Sequence, residues 1–68
     1  MQIKYFPDTD TVLISFSSAE VEETRELSEN LYLDLDKDGN PVHLTVEHAK
    51  RTARLPNISF EQIDEVSA

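Results

Sequence analysis

Residues 31–47 read Leu31-Tyr32-Leu33-Asp34-Leu35-Asp36-Lys37-Asp38-Gly39-Asn40-Pro41-Val42-His43-Leu44-Thr45-Val46-Glu47. Leu31, Leu33 and Leu35 alternate with Tyr32, Asp34 and Asp36, and Val42, Leu44 and Val46 alternate with His43, Thr45 and Glu47. A period of two marks a strand, because successive side chains project to opposite sides of a pleated chain. Between the runs, Asp38-Gly39 supplies residues that tolerate positive φ, so the stretch predicts a hairpin with that pair at its tip. The register then sets Leu35 against Val42, Leu33 against Leu44 and Leu31 against Val46 on the apolar side. On the other side Asp34 meets His43 and Tyr32 meets Thr45. Both sides agree on one register, and a slip of one residue would spoil both.

Working towards the N-terminus, Ile3 and Tyr5 alternate with Gln2 and Lys4, and Val12, Ile14 and Phe16 with Leu13, Ser15 and Ser17. Folding about the turn-rich Pro7-Asp8-Thr9-Asp10 predicts a hairpin over residues 2–17, with Tyr5 opposite Val12, Ile3 opposite Ile14 and Met1 opposite Phe16. Between the hairpins, Ala19 to Leu27 holds good helix formers, but helical spacing leaves only a thin apolar stripe. An acid-rich edge strand at about 20–27 is the better reading, since charged side chains keep exposed edges from aggregating. After His48 the rhythm changes. Ala49 to Arg54 suits a short helical turn, which Leu55-Pro56-Asn57 ends. Ser59 and Gln62 have capping-box spacing, and Phe60 and Ile63 follow at helical spacing. Residues 48–68 are thus expected as a short helix or as an ordered tail docked through Ile58 and Phe60.

The expected fold is mainly β: one domain over residues 1–68, an antiparallel β-meander of four or five strands with a short C-terminal helix or ordered tail over one face. Its inward set is Ile3, Tyr5, Val12, Ile14, Phe16, Leu31, Leu33, Leu35, Val42, Leu44 and Val46.

Composition bounds what such a sheet can do. A chain of 68 residues is a small domain; a core of this size rarely supplies more than roughly 3–5 kcal/mol. The sequence has no Cys, so neither disulfides nor thiolate-bound zinc supplement that core. Idealised packing or self-association is the expected substitute, and the absence of Cys fits a reducing compartment. Fourteen Asp and Glu against six Lys and Arg give a net charge of −8, which repels nucleic acid and anionic membrane. No window approaches the roughly 18 apolar residues of a membrane span. The N-terminal run reaches an acid at Asp8 too early for a secretion signal. A soluble, cytoplasmic protein is expected.

Three constellations invite a chemical reading. Asp34, Asp36, Asp38 and Gly39 imitate the opening of a calcium-binding EF-hand loop. The twelfth loop position, which needs a bidentate Glu, is Thr45, and Glu47 comes two residues late between strand-like flanks. The reading preferred here is a hairpin tip with solvated acids, which leaves room only for weak cation binding. Asp34, His43 and Glu47 share one side and could serve proton transfer in a small hydrolase or metal-dependent enzyme. No Ser or Cys has the setting of a nucleophile, and His43 and His48 have opposite parity, which argues against a two-His metal site. Lys50, Arg51 and Arg54 form a basic cuff on an acidic body. They are the candidate interaction residues, and a nucleic-acid contact through them is the second alternative, set against the net charge. No catalytic, cofactor-binding or metal-ligating residue is assigned, and the chain is expected not to be an enzyme.

The order of blocks also resembles a known family. The opening Ile-Lys-Tyr-Phe-Pro-Asp-Thr-Asp-Thr-Val-Leu-Ile-Ser-Phe, then Glu23-Thr24-Arg25-Glu26-Leu27, Asn30 to Gly39, Glu47-His48-Ala49-Lys50 and the tail Leu55-Pro56-Asn57-Ile58-Ser59-Phe60 resemble the family labelled domain of unknown function 2283. The likeness covers nearly the whole chain. It implies a small bacterial protein with a compact β-meander and a short C-terminal helix, and it supports strand over Glu22 to Leu27. It brings no catalytic residues, and gene neighbourhood marks some relatives as antitoxin-like. The expected role is therefore a protein-interaction module, a homodimer or the acidic partner of a basic protein such as a toxin.

Overall fold

The computed structural model describes residues 1–53. Over these residues the dyad alternation produces five strands: β1 (Gln2–Phe6), β2 (Thr11–Ser15), β3 (Glu23–Ser28), β4 (Leu31–Leu35) and β5 (Pro41–Val46). One helical turn, α1 (Ala49–Thr52), follows. All neighbouring strands are antiparallel, in one sheet of order β1-β2-β5-β4-β3. The run β3-β4-β5 is a meander; the β1-β2 hairpin joins it through β2 and β5, and residues 16–22 cross from there to the far edge. Main-chain bonds pin that crossing at both ends, Phe16 N–H to the Val42 carbonyl and Glu22 N–H to the Leu35 carbonyl, each at 2.8 Å. The acid-rich third strand is at the edge, as expected, and spans Glu23–Ser28 rather than residues 20–27.

Most of the anticipated register is present. Tyr5 pairs with Val12 and Ile3 with Ile14. Leu31 pairs with Val46, Tyr32 with Thr45, Leu33 with Leu44 and Asp34 with His43. Met1 lies outside the ladder, which starts at Gln2 opposite Ser15, so the Met1–Phe16 pair does not form. Nor does Leu35 meet Val42. It pairs with Pro41 across an irregularity between Asp34 and Leu35. The cause is the turn. Gly39 N–H donates to the Asp36 carbonyl at 3.1 Å, and Asp36 N–H to the Asn40 carbonyl at 2.9 Å. Gly39 has φ +81°, whereas neither Lys37 nor Asp38 has positive φ. This is the three-residue hairpin loop that ends in a left-handed residue, not a two-residue primed turn. It shifts the pairing by one, and a bulge shifts it back before His43. Pro41, which has no N–H to donate, thereby opens β5 instead of interrupting it.

The core sits where β2, β5 and β4 meet. Val12, Leu35, Val42, Val46 and Ala49 are buried, Val42 and Ala49 completely. Ile14, Leu31 and Leu44 pack partly buried against the Val12–Val46–Ala49 cluster. Three residues of the anticipated inward set are instead exposed: Ile3 (44%), Tyr5 (38%) and Phe16 (40%). Ile3 and Tyr5 lie on an edge strand with a neighbour on one side only, and Phe16 lies beyond the end of β2. The expected helix or tail over residues 54–68 lies outside the described residues, apart from α1.

Candidate functional site

Alternation gives the sheet two unlike faces. One carries Ile3, Ile14, Leu44 and Leu33 in a row across four strands, with Tyr5, Val12, Val46 and Leu31 in the row beside it. The other carries Gln2, Ser15, His43, Asp34 and Thr24, a polar row across all five strands. In that row the Thr24 hydroxyl donates to Asp34 Oδ1 at 2.6 Å, and His43 Nδ1 lies 3.4 Å from Asp34 Oδ2. Asp34 and His43 are thus together, as the sequence placed them. Glu47 follows on the same face, where its charge and a side-chain contact reach Tyr32. Burial first, and then the charges of Glu47 and Glu26, push the Tyr32 phenol above its ordinary pKa.

Sequence reasoning missed Ser15 and Thr24, which flank the His–Asp pair. Ser15 faces His43 only because β2 lies beside β5, a pairing between distant segments that no local pattern announces. Serine, histidine and aspartate on three adjacent strands follow one another in the order used in nucleophilic catalysis, although no hydrogen bond joins Ser15 to His43. The distances point elsewhere. Thr24 takes the shorter bond to the carboxylate, and a 3.4 Å contact is too long to fix the imidazole as an oriented base.

The acidic turn is absorbed by structure. Asp36 Oδ1 accepts from Asp38 N–H and Asn40 N–H, both at 2.9 Å, so that carboxylate closes its own loop. Among the described residues, no three His, Asp or Glu side chains are grouped to hold a metal ion. A cavity of about 290 Å³ next to the turn is lined by Ala19, Glu20, Glu22, Asp36, Lys37 and Asp38.

Lys50 and Arg51 are exposed on α1, and Arg54 lies outside the described residues. What holds α1 is a residue from the first hairpin loop. Asp10, at φ 53°, accepts Ala49 N–H on its carbonyl at 2.8 Å and Lys50 N–H on its carboxylate at 3.2 and 3.3 Å. It therefore caps a helix start forty positions away, where His48, at φ 51°, makes no side-chain cap. The Tyr5 hydroxyl donates to the same carboxylate at 2.7 Å, and this bond, more than desolvation or the nearby charge, raises the Tyr5 pKa. His48 instead reaches Asn30 Oδ1 at 3.0 Å.

The edges of the sheet differ. β3 carries Glu23, Arg25 and Glu26, an Arg25–Glu23 ion pair, and an irregularity that leaves Leu27 unpaired and 56% exposed. β1 is exposed throughout, with Ile3 and Tyr5 on one face, Phe6 (46%) on the other and Met1 (78%) just before it. No helix among the described residues is long and apolar enough to cross a membrane.

No curated protein and no solved structure matches the chain. The family model described as "Protein of unknown function (DUF2283)" matches residues 2–50, which span every strand and the start of α1. The chain belongs to that family.

Proposed function

We propose that this chain is a non-catalytic protein-interaction module that works as a homodimer. The supporting observation is that the described sheet is a single layer. Together with α1 it buries five residues, while the apolar face continues outward to β1 and becomes exposed there. An outermost strand with exposed apolar side chains is a ready template for strand pairing, and a second copy of the chain supplies the partner strand. The net charge of −8 favours a basic protein as any further partner, with charge setting association rate and specificity more than affinity. An antitoxin-like role, in which an acidic chain holds a basic toxin, is one form of this reading. Lys50 and Arg51 meet acids across interfaces in it rather than nucleic acid.

Light scattering on the full chain over a range of concentrations tests the dimer, and a pull-down from native lysate at low and high salt tests the basic partner. A concentration-dependent doubling of mass supports the reading. A monomer at every concentration, with no stoichiometric partner at low salt, sinks it.

One observation favours a second reading, hydrolysis through Ser15, His43 and Asp34, because the β2–β5 register brings the serine to the histidine. A Ser15→Ala, His43→Ala double variant that keeps every phenotype of the parent disposes of it.

A further inference from the structure

Four of the large apolar side chains that stay exposed, Met1, Ile3, Tyr5 and Phe6, belong to or adjoin a single strand. That strand is outermost, so the hydrogen-bonding groups along its far side face no other described strand. Natural sheets blunt such edges with charges, bulges or coverage. β3 has the first two, with three charged side chains and an irregularity, whereas Gln2–Phe6 alternates without a break and has Lys4 as its one charged side chain. Residues 1–7 hold no acid, in a chain with fourteen. Two copies that each carry −8 repel one another over most of their surfaces, and this edge is where they approach most easily.

We propose that the second copy pairs along β1, antiparallel about a two-fold axis at Ile3, so that two five-stranded sheets join into one continuous sheet. The inference rests on the homodimer reading and names its surface. Antiparallel pairing about an axis normal to the sheet keeps the apolar faces of both copies on the same side. Centred on Ile3, the register sets Ile3 against Ile3, Met1 against Tyr5 and Gln2 against Lys4 of the other copy. Shifting the centre to Lys4 would oppose two ammonium groups directly, which cross-strand pairs disfavour. Main-chain bonds along one short strand make a small interface, so the dimer forms reversibly with concentration.

The natural absence of Cys makes the test clean. Ile3→Cys, Lys4→Cys and Leu27→Cys are prepared in the full chain and oxidised near the dimer midpoint, after circular dichroism has shown a native sheet. Ile3→Cys is expected to give a covalent dimer at least several-fold faster than the other two. In parallel, Ile3→Lys, which opposes two charges at the axis, is expected to remain monomeric, while Leu27→Lys on the far edge keeps the parent's dimer. If Ile3→Lys leaves the dimer intact, or Leu27→Cys cross-links fastest, the β1 interface is wrong and the dimer stands. If the parent chain is a monomer at every concentration, both proposals fall.

Discussion

Replacing Val42 by alanine should remove a large share of the stability of this domain. Val42 has no solvent exposure and occupies the point where the bulge returns β5 to register. Losing two buried methyl-sized groups costs about 1.6 kcal/mol in transfer free energy, at roughly 0.8 kcal/mol each. The cavity left behind adds about 1 kcal/mol more if the surrounding layer relaxes only in part. The sum, about 2–3 kcal/mol, is on the order of half of the roughly 3–5 kcal/mol that a core of this size rarely exceeds. Urea denaturation followed by circular dichroism, at one fixed protein concentration so that association does not intrude, reads the effect. With a slope near 1 kcal/mol per molar urea, the midpoint should fall by about 2–3 M. Leu27→Ala is the matched control. That leucine is 56% exposed at the irregularity of the far edge, and its loss should change stability by less than about 0.5 kcal/mol. A Val42→Ala midpoint within experimental error of the parent, or a Leu27→Ala loss as large, would refute a core centred under β5.

Other outcomes follow from individual contacts. Gly39 has φ +81° and nothing within 4 Å of the place a Cβ would take, so Gly39→Ala carries conformational strain without a clash. The left-handed cost of about 1–2 kcal/mol, less a gain of about 0.4–1 kcal/mol from a stiffer unfolded chain, leaves a net loss near 1 kcal/mol. Gly39→Asn should lose less, and an alanine variant as stable as the parent in urea would remove the left-handed turn from the account. Both phenols should titrate above the ordinary tyrosine value in an ultraviolet pH titration, Tyr5 because it donates to Asp10 and Tyr32 because of burial and its acidic neighbours. A raised folded pKa means that the Tyr5 bond supports the fold below the unfolded value near 10 and is lost as pH climbs through the folded one. Asp10→Ala should bring one of the two titrations down, and two ordinary curves in the parent would contradict the geometry.

The two hairpins were legible because each has two faces that independently demand one register: Leu33–Leu44 and Asp34–His43 agree, as do Tyr5–Val12 and Ile3–Ile14. The loop between β4 and β5 was less so. Asp38-Gly39 suits either a two-residue primed turn or a three-residue loop with glycine last, and local propensity does not separate them. Pro41 held the deciding clue, since β5 lies between β2 and β4 and a proline inside it would lack a bond that the position requires. Nothing local predicted that β2 lies beside β5. That pairing brings together segments some thirty residues apart, and the row Ser15-His43-Asp34-Thr24 depends on it. The Asp10 cap is legible only in part: a polar residue able to take positive φ is visible in Pro7-Asp8-Thr9-Asp10, but its use by α1 is set by the tertiary fold.

The two edges bear on how far such a chain assembles. An unprotected edge strand invites open-ended pairing, and a domain with a thin core would then grow into fibres. Pairing β1 with β1 about a two-fold axis uses the same edge of both copies, so the contact closes on itself. What the joined sheet then presents at its two ends is β3 twice over, with Glu23, Arg25, Glu26 and the irregularity at Leu27. Those features offer poor templates for another strand, and the acidic charge beside them repels the next copy. If β1 pairs with β1 as proposed, the uneven placing of charged side chains along the chain, absent from residues 1–3 and 5–7 and dense from Glu20 to Glu26, makes the dimer the stopping point.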